Sequence, residues 1–318
     1  MRPRDGGDRA ATGPAGGGPG EPDRGGDRSR PMREDGPVTE PRTPRLIATD
    51  LDGTLLCTGG TVTERTAAAL AAAEAAGMRV VFVTGRPPRW MQQVSSHIGG
   101  HGVAICSNGS AVVDVRRGEL LESFPLPEET ALAVVEVLRA KLPGTAFAFE
   151  YPAGFAREPG YEVPMWGEEV DHPVGPAEEL LGAGGPVRGL FKLLAKHPDL
   201  DPDKLLDEAR EAAGHLAEIT RSAPIPLLEI SAAGVTKAST LARWCAEHGI
   251  DRAEVVAFGD MPNDLEMLAW AGTAYAVANA HPQVLAAVPL HTVSNEQDGV
   301  AAVLEELLGL SRTKGSLT

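Results

Sequence analysis

At 318 residues the chain can hold one large domain or two ordinary ones, and its formal net charge of -15 disfavours nucleic acid and anionic membrane as partners. No run of 18 apolar residues occurs and no apolar stretch opens the chain, which argues against membrane spanning and secretion and leads us to expect a cytoplasmic protein. Cys57, Cys106 and Cys245 are scattered, with no CxxC spacing and no clustered histidines, and read as free thiols.

Residues 1–44 hold 10 Gly and 8 Pro, no aromatic residue and as many acidic as basic side chains. Such a segment buries too little surface to offset its ordering entropy, so we expect a disordered tail. Short apolar runs then alternate with helical stretches, the pattern of a parallel α/β sheet. RLIATDL is the first buried strand. TVTERTAAALAAAEAAG follows as a helix, with Thr61 and Glu64 matching a capping box, Thr63 a rival N-cap and Gly77 at its C-terminal end. MRVVFVTGR is a second strand buried on both faces; GVAICSNGSAVVDV is a third, in which Asn108 and Gly109 can take the positive φ of a tight turn.

Past about residue 112 the texture changes to stretches rich in Pro, Gly and aromatics. Around them lie two amphipathic helices, PEETALAVVEVLRAKL and DPDKLLDEAREAAG, and the strand-like TAFAFEY, RGLFKLLAKH and PLLEIS. The buried-strand pattern resumes with KASTLARWCAEHGI (helix), AEVVAFGD (strand), NDLEMLAWAG (helix), TAYAVAN (strand) and DGVAAVLEELLGL (helix). The expected architecture is a Rossmann-like, three-layer α/β core with an inserted α+β cap domain. Core residues are 45–112 and 232–311, the cap 113–231, and the tails 1–44 and 312–318.

Ligands of parallel sheets sit outside the carboxyl ends of the strands. Four polar groups collect at predicted strand ends or helix starts: Asp50 with Asp52, Thr84, Lys237, and Asp260 with Asn263 and Asp264. Asp50 and Asp52 stand two apart on an extended chain and face one region, where carboxylates share a proton or hold a cation. With GDMPND they form an all-oxygen donor set that suits Mg²⁺ beside a substrate phosphate. Asp50 then suits attack on phosphorus, and Asp52 proton transfer to the leaving oxygen and later from water. Gly53 lets the backbone turn beneath the phosphate. Thr84 and Gly85 offer a hydroxyl and close amides to phosphate oxygens. Lys237 opens a helix whose positive end it opposes, a conflict that an anion removes.

Each group also fits a local role: Asp52-Gly53 as a turn, Thr84 as a helix start, Lys237 as a solvated lysine, Asp260, Asn263 and Asp264 as caps, and Asn108 as a turn residue. His97, His101 and His172 read as surface residues.

Together these residues resemble the four motifs of the haloacid dehalogenase superfamily of phosphohydrolases: DLDGTLL, VVFVTGR, the Lys237 of GVTKAS, and GDMPND. The 150 residues between Arg86 and Lys237 resemble the large C2/IIB-type cap of its Cof-type branch, as do SNGS, PLLEIS and NEQDGVAAVLE. The resemblance implies Asp50 as nucleophile and Asp52 as acid/base, with Mg²⁺ held by the Asp50 carboxylate, the Asp52 carbonyl and Asp260, and supported through water by Asp264. It implies Thr84 and Lys237 as phosphoryl ligands with Asn263 beside them. Ala238 stands where the branch often has Gly. The expected activity is Mg²⁺-dependent hydrolysis of a small phosphorylated metabolite, such as a sugar phosphate, by a monomer or homodimer. A phosphomutase uses the same aspartyl-phosphate chemistry, and a phosphate-binding module without turnover is a third possibility. Possible substrate contacts are Arg86, Asn108, Arg157 and Arg188, with Lys192 and Arg221 as further cap candidates.

Overall fold

A computed structural model describes residues 44–92, 102–163 and 172–310, so the tails, His97 and His101 lie outside the described residues. Five strands precede the cap helices: β1 (Leu46–Thr49), β2 (Arg79–Val83), β3 (Val103–Cys106), β4 (Ala111–Asp114) and β5 (Glu119–Ser123). Five more build the cap: β6 (Ala146–Tyr151), β7 (Gly154–Arg157), β8 (Lys192–Lys196), β9 (Ala217–Thr220) and β10 (Leu227–Ala232). β11 (Val255–Gly259), β12 (Thr273–Val277) and β13 (Leu290–Thr292) return to the first sheet.

The 8-stranded sheet has the order β13-β12-β11-β1-β2-β3-β4-β5. It is parallel from β13 to β3 and antiparallel beyond. All of β1 is buried, as expected of a central parallel strand covered on both faces. On one face Ile47, Phe82 and Phe258 pack with Leu70 of α1 (Glu64–Ala75) and Leu304 of the last helix; on the other Ala48, Val81 and Ala257 pack with Leu241 and Trp244. This is the three-layer core that the sequence predicts. The chain leaves β1 towards β2 on one side and later returns to β11 on the other, so the strand order reverses at β1. The crevice of this fold therefore opens at the carboxyl end of β1.

Two local expectations change. Thr63, not Thr61, caps α1: it has extended backbone and its hydroxyl accepts the Thr66 amide at 3.1 Å. The third predicted strand is two, because β3 turns back into β4 through Ser107, Asn108 and Gly109, with φ of 50°, 56° and 112°. The boundary expected at residue 112 thus falls inside β4. The texture change there marks a switch from parallel to antiparallel pairing, and the sheet continues to Ser123.

The cap sheet is antiparallel, in the order β7-β6-β8-β10-β9. Phe147, Phe149, Leu193, Leu228 and Ile230 pack under two amphipathic helices, α2 (Glu128–Lys141) and α4 (Pro202–Ala213), which the short α3 (Ala177–Leu181) separates in sequence. Strand residues alternate between faces. The opposite face therefore carries Glu150, Lys192 and Glu229, one from each of three adjacent strands.

Candidate active site

Neighbouring strands that end in step bring the acidic groups together. Thr49 pairs with Phe258, and the Asp50 amide donates to the Phe258 carbonyl at 3.0 Å, so Asp50 occupies one more rung beside the Gly259-Asp260 end of β11. Beyond it the chain wraps the Leu51 carbonyl, which accepts from the amides of Thr54, Leu55 and Leu56. That turn sets Thr54, whose hydroxyl donates to Asp260 Oδ1 at 2.7 Å.

Two glycines permit the close packing. Gly53 has φ +79°, and a Cβ there would stand 2.5 Å from Asp260 Oδ2; a Cβ on Gly259 would stand 2.6 Å from that of Asp264. Gly53→Ala is therefore expected to displace the Asp260 carboxylate and lower the rate of any reaction at this site by about tenfold or more, since small misplacements at a reacting centre are costly. Steady-state assay checks this, and unchanged kcat contradicts it.

Asp264 is clamped from two sides. Its Oδ2 accepts the amides of Asp260 and Met261 at 3.1 and 3.0 Å, and its Oδ1 accepts from Lys237 Nζ at 2.7 Å. Lys237 Nζ also donates to Asp50 Oδ1 at 2.6 Å. Lys237 is the first residue of α5 (Lys237–Glu247), capped by Thr236.

Oxygens of Asp50, Asp260 and Asp264, all buried, lie within 4.8 Å of one another. Burial pushes the Asp50 carboxyl well above its ordinary range; Lys237 opposes that rise while Asp264, Asp260 and Asp52 add to it. Burial and then Asp264 push Asp260 up to about 7. Burial disfavours the Lys237 ammonium, but Asp264 and Asp50 outweigh it and the group is held charged. Fully ionised, three carboxylates against one ammonium would leave a surplus of negative charge, which a divalent cation would balance.

The loop after β2 forms the neighbouring wall. Thr84 is fully buried, and its hydroxyl accepts the Arg86 amide at 3.0 Å. Arg86 grips the exposed Asp52 as a fork, Nε to Oδ2 at 2.7 Å and Nη2 to Oδ1 at 2.6 Å. The charged face of the cap closes on this loop. Lys192 Nζ donates to the Gly85 carbonyl at 2.7 Å and to Glu229 Oε1 at 2.9 Å, and lies 3.3 Å from Glu150. Arg89 reaches Glu150 at 3.3 Å, and Asn108 Nδ2 donates to Glu229 Oε2 at 2.7 Å. On the far side Arg221 of the cap contacts His281, whose amide donates to the Asp260 carbonyl.

A model of the haloacid dehalogenase-like hydrolases matches residues 47–304. The chain belongs to that family. It is 29% identical over 269 residues to the pyridoxal phosphate phosphatase YbhA of Escherichia coli, an alignment covering 81% of this chain and 97% of that one. It is 32% identical over 268 residues to the HMP-PP phosphatase of Serratia proteamaculans, covering 83% and 95%. Its fold matches a haloacid dehalogenase-like hydrolase from B. subtilis with a TM-score of 0.70 at 23% identity, covering 83% and 99%. The chain is a hydrolase of phosphoric monoesters, of the Cof-type branch with a large cap.

In this haloacid dehalogenase-like hydrolase, Asp50, Lys237, Asp260 and Asp264 meet at one point, with Asp52, Thr84, Gly85 and Arg86 along its wall and Asn108 linking Asn263 to the cap. Arg157 and Arg188 do not join them. Arg157 donates to His172 and to the carbonyls of Glu158 and Tyr161. Arg188 donates to the carbonyls of Val187, Gly182 and Ala183. Both are engaged by loops of the cap itself. Sequence reasoning missed Thr54, Glu150 and Glu229. The last two carry a usable signal: each is the lone charge of an apolar strand.

Proposed function

We propose that the chain is a Mg²⁺-dependent phosphatase of small phosphorylated metabolites that works through an aspartyl-phosphate on Asp50. The observation that carries this reading is the position of Asp50: buried at the end of the central strand, bonded to Lys237, and grouped with Asp260 and Asp264. The names of the relatives, phosphatases of pyridoxal phosphate and of HMP-PP, favour a small phosphorylated substrate.

The donor set fits the cation, being all oxygen, buried and in excess of its one lysine. Asp50, the Asp52 carbonyl and Asp260 would hold it, with Asp264 behind. When bound, it would supply positive charge for the carboxylates and for the phosphoryl oxygens.

Asp50 attacks phosphorus, forming the acyl-phosphate bond as the ester bond breaks, and the leaving oxygen takes a proton from Asp52. Water then gives a proton to Asp52 and its oxygen to phosphorus, which frees Asp50 and inorganic phosphate. Lys237 balances charge on the transferring group, while Thr84 and the Gly85 amide receive its oxygens. The Arg86 fork occupies both Asp52 oxygens, so it must open for Asp52 to carry the proton that it gives to the leaving oxygen. Phosphate release from an aryl phosphate without any bisphosphate activator tests this reading and separates it from a phosphomutase.

Protons compete with the cation. Burial and Asp264 push the Asp260 carboxyl up to about 7, so its ionised fraction grows as pH rises through that value, and apparent Mg²⁺ affinity is expected to rise from about pH 6 to about pH 8. Thermal-shift titrations with Mg²⁺ at the two pH values check this; equal affinities contradict it.

A further inference from the structure

Two loops that carry none of the clustered aspartates hold the turn that follows Asp50. One follows β12 and contains Asn279; the other follows β13 and is the NEQDG stretch, residues 295–299. In the order β13-β12-β11-β1, both reach back past β11 to the central strand. Asn279 Nδ2 donates to the Gly53 carbonyl at 2.7 Å, and Asn279 Oδ1 accepts the Asn295 amide at 3.0 Å. Asn295 is buried and holds the same turn itself, its Nδ2 donating to the Leu56 carbonyl at 2.9 Å. Just beyond Asn279, the His281 amide donates to the Asp260 carbonyl at 2.8 Å, so one short segment ties the turn after Asp50 to the end of β11. Farther along, Glu296 Oε1 accepts from the amide and the hydroxyl of Thr58, both at 2.6 Å, and Asp298 Oδ1 accepts from the hydroxyls of Thr63 and Thr66.

The sense of the Asn279 amide is fixed by its partners. The Asn295 N–H can only donate and the Gly53 carbonyl can only accept, so Oδ1 faces the first and the NH₂ group the second. A flipped amide would set donor against donor and acceptor against acceptor. The group it holds is the one the turn itself leaves loose. Gly53 has φ +79°, and its two backbone torsions are all that separate the Asp52 carbonyl from the Gly53 carbonyl; glycine restrains those torsions least. The amides of Thr54, Leu55 and Leu56 close on the Leu51 carbonyl, and those bonds use neither the Asp52 nor the Gly53 carbonyl. Asn279 supplies from outside the restraint that the turn lacks.

We propose that Asn279 is a positioning residue for the cation site: by holding the Gly53 carbonyl it fixes the turn whose Asp52 carbonyl would join Asp50 and Asp260 around Mg²⁺, and the NEQDG loop holds Asn279 in place. Groups that orient a metal's ligands are part of its affinity even though they touch no metal. This rests on the Mg²⁺-dependent reading above. Asn279 acts through Gly53 and touches neither the substrate nor the phosphoryl group.

The test is isothermal titration of the full chain with Mg²⁺ in the absence of substrate. Asn279→Ala is expected to raise the dissociation constant about tenfold, the usual size of effect when a group that orients a metal ligand is lost. The Mg²⁺ concentration that half-activates phosphate release should rise by the same factor. Asn279 is exposed, so the variant is expected to fold; Asn279→Ser, whose side chain is also too short to replace the amide, reads the same effect if it does not. Thr58→Ala separates positioning from general loosening, because it removes one bond to Glu296 in the same segment but beyond the turn; its dissociation constant is expected to stay within about twofold of that of the unaltered protein. A constant for the Asn279 variants within about twofold of the unaltered value, or an equal rise in Thr58→Ala, overturns the role of Asn279. An unaltered protein that binds Mg²⁺ but releases no phosphate contradicts the phosphatase reading alone, since affinity is measured without substrate. An unaltered protein that binds no Mg²⁺ contradicts both.

Discussion

Asp50→Asn is expected to abolish phosphate release, with a loss of at least about 10⁴-fold in kcat, in a protein that still folds. The amide has nearly the shape of the carboxylate, and Lys237 keeps its bond to Asp264, so β1 and its turn have no reason to move. What disappears is the nucleophile. Substituting Asn also removes one of three crowded carboxylates, so a rise in melting temperature without Mg²⁺ would fit the same electrostatics. The assay is phosphate release at saturating aryl phosphate and Mg²⁺, with circular dichroism as the control for folding. Turnover within about tenfold of the unaltered protein contradicts a nucleophilic Asp50 and would shift attention to a directly attacking water.

Lys237→Met is expected to affect stability as well as rate. The ammonium is 1% exposed and bonds Asp50 and Asp264 at 2.6 and 2.7 Å. Removing it leaves two carboxylates buried without their cation, which typically costs about 3–5 kcal/mol. Urea unfolding measures the loss. Added Mg²⁺ should recover part of it, and Asp264→Asn in the same chain should recover part by removing one of the stranded charges. An unfolding midpoint equal to that of the unaltered protein contradicts the idea that Lys237 neutralises this cluster. Lys237 also opposes the positive end of its own helix, a conflict that only its acidic partners compensate.

The groups that meet at β1 were legible in the sequence because they sit at junctions between strongly patterned elements. A fully buried strand that stops at Asp50, and another that stops at Asp260, announce their own carboxyl ends. The parallel order then places those ends side by side. Lys237 was legible for a different reason, as a cation at the wrong end of a helix.

The cap was harder. Glu150 and Glu229 each stand alone in apolar strands and Lys192 opens another, and their meaning depends on which face of the cap sheet packs on the core and on the strand order β6-β8-β10, neither of which is local. Arg157 and Arg188 looked like substrate contacts by charge alone, yet nearby carbonyls take their donors. β5 escaped notice because Leu120 and Leu121 are both exposed on an edge strand, so burial does not alternate along it. At α1 two threonines competed for one cap, and backbone conformation at Thr63 decided between them.

Stereochemistry at phosphorus tests the central claim most directly. Hydrolysis of a phosphomonoester made chiral at phosphorus with oxygen isotopes proceeds with net retention if Asp50 attacks first and water second, because two inversions cancel. Retention is the predicted result. Net inversion would mean a single displacement by water and would contradict an aspartyl-phosphate on Asp50.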